Sequence, residues 1–264
     1  MLQHGLDRAA ATLAAAPSPA AIHRTRVAAR RLRVLLNVHA RTLESKARKR
    51  YRRELKKLAD DLEPAREADV ARRLLLALAR NSSGDVGASR GLCERAVRRC
   101  ESTAAALRET LAGAAWRRRL AQLQQLSVLT SLAKENDDSA ATVTHRLVTR
   151  YRRRLRSALS DAGSNPAKLH RIRLKIKSMR YLLEACLPRS AIEKNEELKR
   201  LRRIQNCLGD IHDAENVRKT LRAERTDRKT AHEFRERLKN RKGRRLRDFK
   251  KDREALTRLW GGSD

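Results

Sequence analysis

The sequence predicts an all-α protein: two tandem, pseudo-symmetric antiparallel helical bundles of about four to five helices each. Three observations predict it. A basic amphipathic stretch occurs twice, landmarks downstream of it recur at nearly the same spacing, and no run alternates polar and apolar residues as a strand would. Ala and Leu make up much of the apolar fraction, and 10 Gly and 5 Pro in 264 residues leave few breaks.

The duplicated stretch is His23-Arg24-Thr25-Arg26-Val27-Ala28-Ala29-Arg30-Arg31-Leu32-Arg33-Val34-Leu35-Leu36 and His170-Arg171-Ile172-Arg173-Leu174-Lys175-Ile176-Lys177-Ser178-Met179-Arg180-Tyr181-Leu182-Leu183. Both read H-x-x-R-x-x-x-[RK]-x-x-R, 147 residues apart, with six of fourteen positions identical. On a helix, His23, Arg26, Arg30 and Arg33 fall within an arc of roughly 80°. Ala28, Ala29, Leu32, Leu35 and Leu36 take the other side, as do Ile172, Ile176, Met179, Leu182 and Leu183 in the second copy. Each copy therefore sets a cationic row opposite a core-facing stripe.

The repeat extends further. Leu62 and Leu208 anchor a second element, L-x-x-x-[RH]-[DE]-x-[DE], and Trp116 and Trp260 recur 144 residues apart. The expected units are 1–133 and 140–264, with polar 134–139 as the linker. Pro17-Ser18-Pro19 and Asn165-Pro166 are the starts of the two basic helices, and Pro188 closes the second. The Ala-rich segment from Ala9 to Ala16 lacks the basic start and strongly apolar centre of a secretory leader, and is read as the first helix. Residues 81–87 separate two long helices of the first copy. Pro64 reads as a first helical residue. Gly209-Asp210 reads as a helix stop and N-cap, with Asp213 completing a capping box.

Sixty-four Lys and Arg against 31 Asp and Glu give +33, a charge that repels itself and calls for a polyanionic partner. Nucleic acid, an anionic membrane surface and inorganic polyphosphate all qualify. Two Trp, three Tyr and two Phe offer few platforms for stacking bases, which disfavours single-stranded nucleic acid. The longest apolar run, Leu74 to Ala79, is too short to span a bilayer. Cys93, Cys100, Cys186 and Cys207 form no C-x-x-C; a bland core role, no metal and a reducing cytoplasm are expected.

The basic row covers about 15 Å of helix, which suits several phosphates in series better than one. Guanidinium forks bind phosphate oxygens bidentately and keep their charge when partly desolvated. His23 and His170 are read as members of the anion site: a metal would want a ligand three or four residues on, where Arg26 and Arg173 stand. Lys56, Lys57, Arg66, Arg202, Arg203 and His212 are second-tier ligands, with solvated helix faces as the alternative. The carboxylates Glu67, Asp69, Asp213 and Glu215 suggest orienting salt bridges before catalysis. Basic Arg241 to Arg247 reads as an exposed helical face, with a nucleic-acid arm as the alternative. No phosphate-cradling Gly-rich loop or hydrolase signature occurs, so no catalytic residue, metal or cofactor is assigned.

At these residues the chain resembles the CHAD family, the conserved-histidine α-helical domains, over about residues 5–260. The resemblance rests on H-x-x-R-[VL]-x-x-[RK], on Leu32-Arg33 and Met179-Arg180-Tyr181-Leu182-Leu183-Glu184, and on the downstream element. It implies two four-helix bundles around a basic central cavity, and non-catalytic binding of inorganic polyphosphate. It assigns that binding to His23, Arg26, Arg30, Arg33, His170, Arg173, Lys177 and Arg180. Ser178 answers Arg31, His212 answers Arg66, and Gly209-Asp210 answers Glu63-Pro64, so the two halves need not be equal. The E-x-E-x-K signature of fused triphosphatase relatives is absent. The expected function is cytoplasmic polyphosphate binding with no membrane span, with granule association left open. Sequence-independent nucleic-acid or granule-surface binding is the alternative, and a Mg-dependent polyphosphate hydrolase ranks below it.

Overall fold

The structure, a computed structural model, describes residues 2–36, 45–80, 86–131, 138–223 and 228–261. The described residues form helices and no strand: α1 (Leu2–Ala15), α2 (Pro19–Leu35), α3 (Ser45–Asp61), α4 (Glu63–Ala79), α5 (Val86–Ala112), α6 (Ala114–Ser131), α7 (Asp138–Ser160), α8 (Pro166–Cys186), the short α9 (Arg189–Ile192), α10 (Glu196–Ala223) and α11 (Arg228–Gly261). Among them, no helix is long and apolar enough to cross a membrane. Of the expected linker, residues 134–137 lie outside the described residues, and 138–139 open α7.

Two compact units result: residues 1–72 with 95–145, and residues 73–94 with 146–264. The segment 73–94 thus belongs with the second unit although it lies within the first repeat. In the first unit α2 packs on α1 and α3, and α6 closes against α1 and α3. Leu6, Leu13, Ile22, Ala29, Leu32, Leu55, Leu58, Leu62 and Trp116 share one core. Thr25, fully buried, pins α2 to α1: its hydroxyl donates to the carbonyl of Ala9 at 3.0 Å and to that of Ala21 at 3.0 Å. In the second unit α10 packs on α8 and α11, and Ile172, Ile176, Met179, Leu201, Ile204, Leu208, Phe249 and Trp260 form the core.

Both basic helices start where the sequence places them. Ser18 caps α2, its hydroxyl accepting from the Ala21 amide at 3.2 Å, with Pro19 first in the helix. Asn165 caps α8, accepting from Ala167 at 2.9 Å and Lys168 at 3.3 Å, with Pro166 first. A proline at this position lacks only an N–H that would have no helical partner anyway.

The downstream element takes different forms in the two copies. In the first, Pro64 has no N–H for the Asp60 carbonyl and its ring crowds that turn, so α3 ends at Asp61 and α4 begins at Glu63. In the second, α10 runs unbroken through Gly209 and Asp210. The expected stop, N-cap and capping box there are therefore incorrect: glycine keeps its N–H and costs only about 1 kcal/mol relative to alanine inside a helix. Among the described residues, the first sequence half forms six helices, with Pro64 and Gly113 each dividing a long segment.

Arginines join the C-terminal turns of α7 and α11. Arg253 of α11 donates to the carbonyls of Leu159 and Ala162 at 3.5 and 3.2 Å, and Arg156 of α7 donates to the Trp260 carbonyl at 2.6 Å. Each cation thus meets the negative end of its neighbour.

Candidate functional site

The apolar stripe of α2 is buried through Ala21, Ile22, Ala29, Leu32 and Leu35, and that of α8 through Leu169, Ile172, Ile176, Met179 and Leu183. The basic rows are left along the flank of each helix. In the first row His23 is exposed, Arg30 and Arg33 are half-buried, and Arg26 is only 4% exposed. Arg26 lies at the edge of the stripe beside Ile22 and Ala29, where α3 and α4 cover it. Its guanidinium donates to the Ala59 carbonyl and to the Glu63 carboxylate at the α3–α4 break. Arg30 approaches the same Glu63 oxygen at 3.9 Å. Burial alone would raise the Glu63 carboxyl pKa. Arg26, Arg30 and Arg66 outweigh it and hold the group below its ordinary value.

Arg33 stands in an electropositive corner. Burial first, then the like charge of Arg52, lower its pKa, partly offset by Asp60. In the second row the equivalent rung, Arg180, lies 4.6 Å over the Tyr181 ring and 3.4 Å from Glu184. At both rungs the guanidinium Nε–H is buried and has no hydrogen-bond acceptor among the described residues.

The second row gathers more of its expected members. His170, Arg173, Lys177 and Arg180 are all half-buried. The His170 ring on α8 lies 4.9 Å from the His212 ring on α10, centroid to centroid. The two elements of the repeat therefore meet through their histidines. Arg202 of α10 donates to Glu184 at 3.1 Å, so one carboxylate joins Arg180 and Arg202. The remaining second-tier residues behave differently. Lys56 pairs with Asp60 at 3.5 Å and Lys57 with Glu54 at 3.3 Å, both along α3 itself. Arg203 is exposed, and Arg66 is half-buried near Glu63.

Three carboxylates of the acidic element are engaged by cations, while Glu67 is exposed and Asp213 half-buried. Asp69 is 3% exposed and accepts from Arg72 at 3.1 Å. Glu215 accepts from Lys242 at 2.5 Å and Arg218 at 2.9 Å. Asp210 accepts from Arg245 at 2.6 Å. The run from Arg241 to Arg247 is thus only partly an exposed face: Lys242 and Arg245 turn onto α10, whereas Arg244 and Arg247 are exposed. A cleft of about 500 Å³ lined by Arg152, Arg153, Arg156, Glu197 and Trp260 includes none of the predicted ligands. Sequence reasoning did not assign Glu63 to the site. Its one signal was position, directly before Pro64 and opposite a glycine in the other copy.

Comparison with known proteins decides the family: the CHAD domain profile matches residues 1–222. The chain belongs to the CHAD family. The fold of this CHAD protein is similar to the crystal structure of the CHAD domain from the plant Ricinus communis, with a TM-score of 0.76, 21% identity, and coverage of 97% of this chain and 88% of that one. It is similar also to PptA from Streptomyces chartreusis, with a TM-score of 0.70, 19% identity, and coverage of 98% and 95%. At these identities the likeness shows the fold. A search of curated proteins found no match.

Proposed function

We propose that this CHAD protein binds inorganic polyphosphate, without transforming it, through the basic rows of α2 and α8. The observation that carries the reading is the repeated orphan donor. At the same rung of both rows, Arg33 and Arg180 bury an Nε–H with no protein acceptor among the described residues, as Arg119 and Arg241 do outside the rows. Such a group costs about 1–3 kcal/mol when left unsatisfied, and a ligand rich in anionic oxygens supplies the acceptor. Membership of a family whose resemblance implies polyphosphate, and a net charge of +33, support the same reading. The engagement of Asp69 and Glu215 by cations supports a salt-bridge role for these two carboxylates over a catalytic one. The four free cysteines fit a reducing, cytoplasmic setting.

Arg30 and Lys177 are equivalent, half-buried rungs, and they test the site more cleanly than Arg26, which is tied to internal partners. Arg30→Gln with Lys177→Gln should weaken long-chain polyphosphate binding roughly tenfold or more while leaving helicity intact. Undiminished affinity would count against the site. Exposed Arg244, Arg247, Lys250 and Lys251 on α11 favour the second reading, diffuse binding of nucleic acid or a granule surface. Duplex DNA that competes as well as polyphosphate at matched phosphate concentration would favour that reading instead.

A further inference from the structure

We infer that Glu63 is a resident counter-anion of the first basic row, displaced when phosphate binds, and that it sets the shortest chain the row accepts. The inference rests on the polyphosphate reading above. Glu63 opens α4 and reaches back to α2, where one carboxylate oxygen accepts from Arg26 and lies 3.9 Å from Arg30. Arg66, on the next turn of α4, adds to the same positive field. A carboxylate held by two guanidinium groups makes the contacts a phosphate would make. Its side chain is 42% exposed, over an Arg26 that is 4% exposed, so it covers the buried cation from the solvent side and can rotate into water.

The second row differs at the equivalent position. Gly209 stands at the position equivalent to Glu63 and carries no side chain. Its own carboxylate, Glu184, is 8% exposed between Arg180 and Arg202, too enclosed to swing into water as Glu63 can. The two rows therefore differ: one carboxylate is a fixed part of its row and the other is a removable occupant.

Chain length enters through valency. Glu63 is tethered, so it competes at a high local concentration that one phosphate group in free solution does not match. A long chain holds further rungs at the same time and displaces it. Short phosphates gain most when the carboxylate is removed.

The test measures binding of sodium tripolyphosphate and long-chain sodium polyphosphate to wild type, Glu63→Gln and Glu67→Gln. Glu67 is an exposed acid on the same helix, so its variant controls for net charge. Glu63→Gln should bind tripolyphosphate about fivefold tighter or more, with a smaller gain for the long chain, and Glu67→Gln should stay within about twofold of wild type. A structural role alone would lower the melting temperature of Glu63→Gln with no gain in affinity, and that result overturns the inference. An equal gain in both variants overturns it too. Failure of every protein to bind the long chain would reject the polyphosphate reading itself, and this inference with it. Should Glu63→Gln not fold, carboxyl NMR of the wild type gives the answer. Glu63 should titrate at higher pH once long-chain polyphosphate is added, and an unmoved titration overturns the inference.

Discussion

His170 and His212 face each other across the α8–α10 contact, ring centroids 4.9 Å apart and planes tilted by 43°. His212 also lies 3.4 Å, Nε2 to Nδ2, from Asn216 one turn further along α10. The pair joins the start of the basic row to the downstream element, which are far apart in sequence. Two imidazoles at this separation repel when both are charged, and an anion shared between them removes that cost. His170→Ala and His212→Ala should therefore each weaken polyphosphate binding, and the double variant should lose less than the sum. A coupling of about 0.5 kcal/mol or more is expected for residues in contact. A double-mutant cycle read by calorimetry checks it, and strict additivity would show that the rings act separately.

Glu215 makes the second unit sensitive to acid. Burial would raise its pKa, but Lys242 and Arg218 outweigh burial and hold it below the ordinary value. A carboxylate depressed in the folded state adds stability above its unfolded pKa, about 4.3, and that stability is lost as pH falls through the lower folded value. Glu215→Gln should cost about 1–3 kcal/mol at neutral pH and make stability less dependent on pH in the acid range. Urea unfolding at a series of pH values measures both effects, and a variant with the wild-type acid slope would contradict the assignment.

Gly209 offers a gain in stability. It lies inside α10, and a Cβ built there meets nothing within 4 Å. Gly209→Ala should stabilise the protein by about 0.5–1 kcal/mol. Gly209→Pro should cost about 3 kcal/mol or more, since α10 would lose a backbone donor that α4, with proline in its first turn, does not need. Denaturant midpoints of the two variants should move in opposite directions.

The length of the rows predicts graded stabilisation by phosphates. A ligand that binds only the folded state raises the melting temperature with its occupancy. Orthophosphate should move the transition little, and longer chains at equal phosphate concentration should move it progressively more, because only they span the row's roughly 15 Å. A shift independent of chain length would mean that single phosphates saturate the site.

Much of this architecture was legible as local chemistry. The 3.6-residue period showed two helices with a basic flank, Pro19 and Pro166 marked their starts, and Pro188 marked the end of the second. Gly209-Asp210 misled, because a glycine signals a break only where the surrounding packing does not hold the helix straight. The basic run from Arg241 was half misread for a related reason: helical spacing shows which residues share a face, but not that Asp210 and Glu215 lie opposite that face.

By itself, then, the sequence determined the helical class, the doubling of the basic row and the residues that make it up, because these follow from periodicity and residue type along one chain. Only the tertiary structure decided which rungs remain toward solvent. Arg26 and Arg30 sit one turn apart on α2, yet the α3–α4 break covers the first and leaves the second half-exposed. Whether a guanidinium is a ligand or an internal strut depends on which neighbouring helix brings a carboxylate or carbonyl within reach, and that proximity is a property of packing between distant segments.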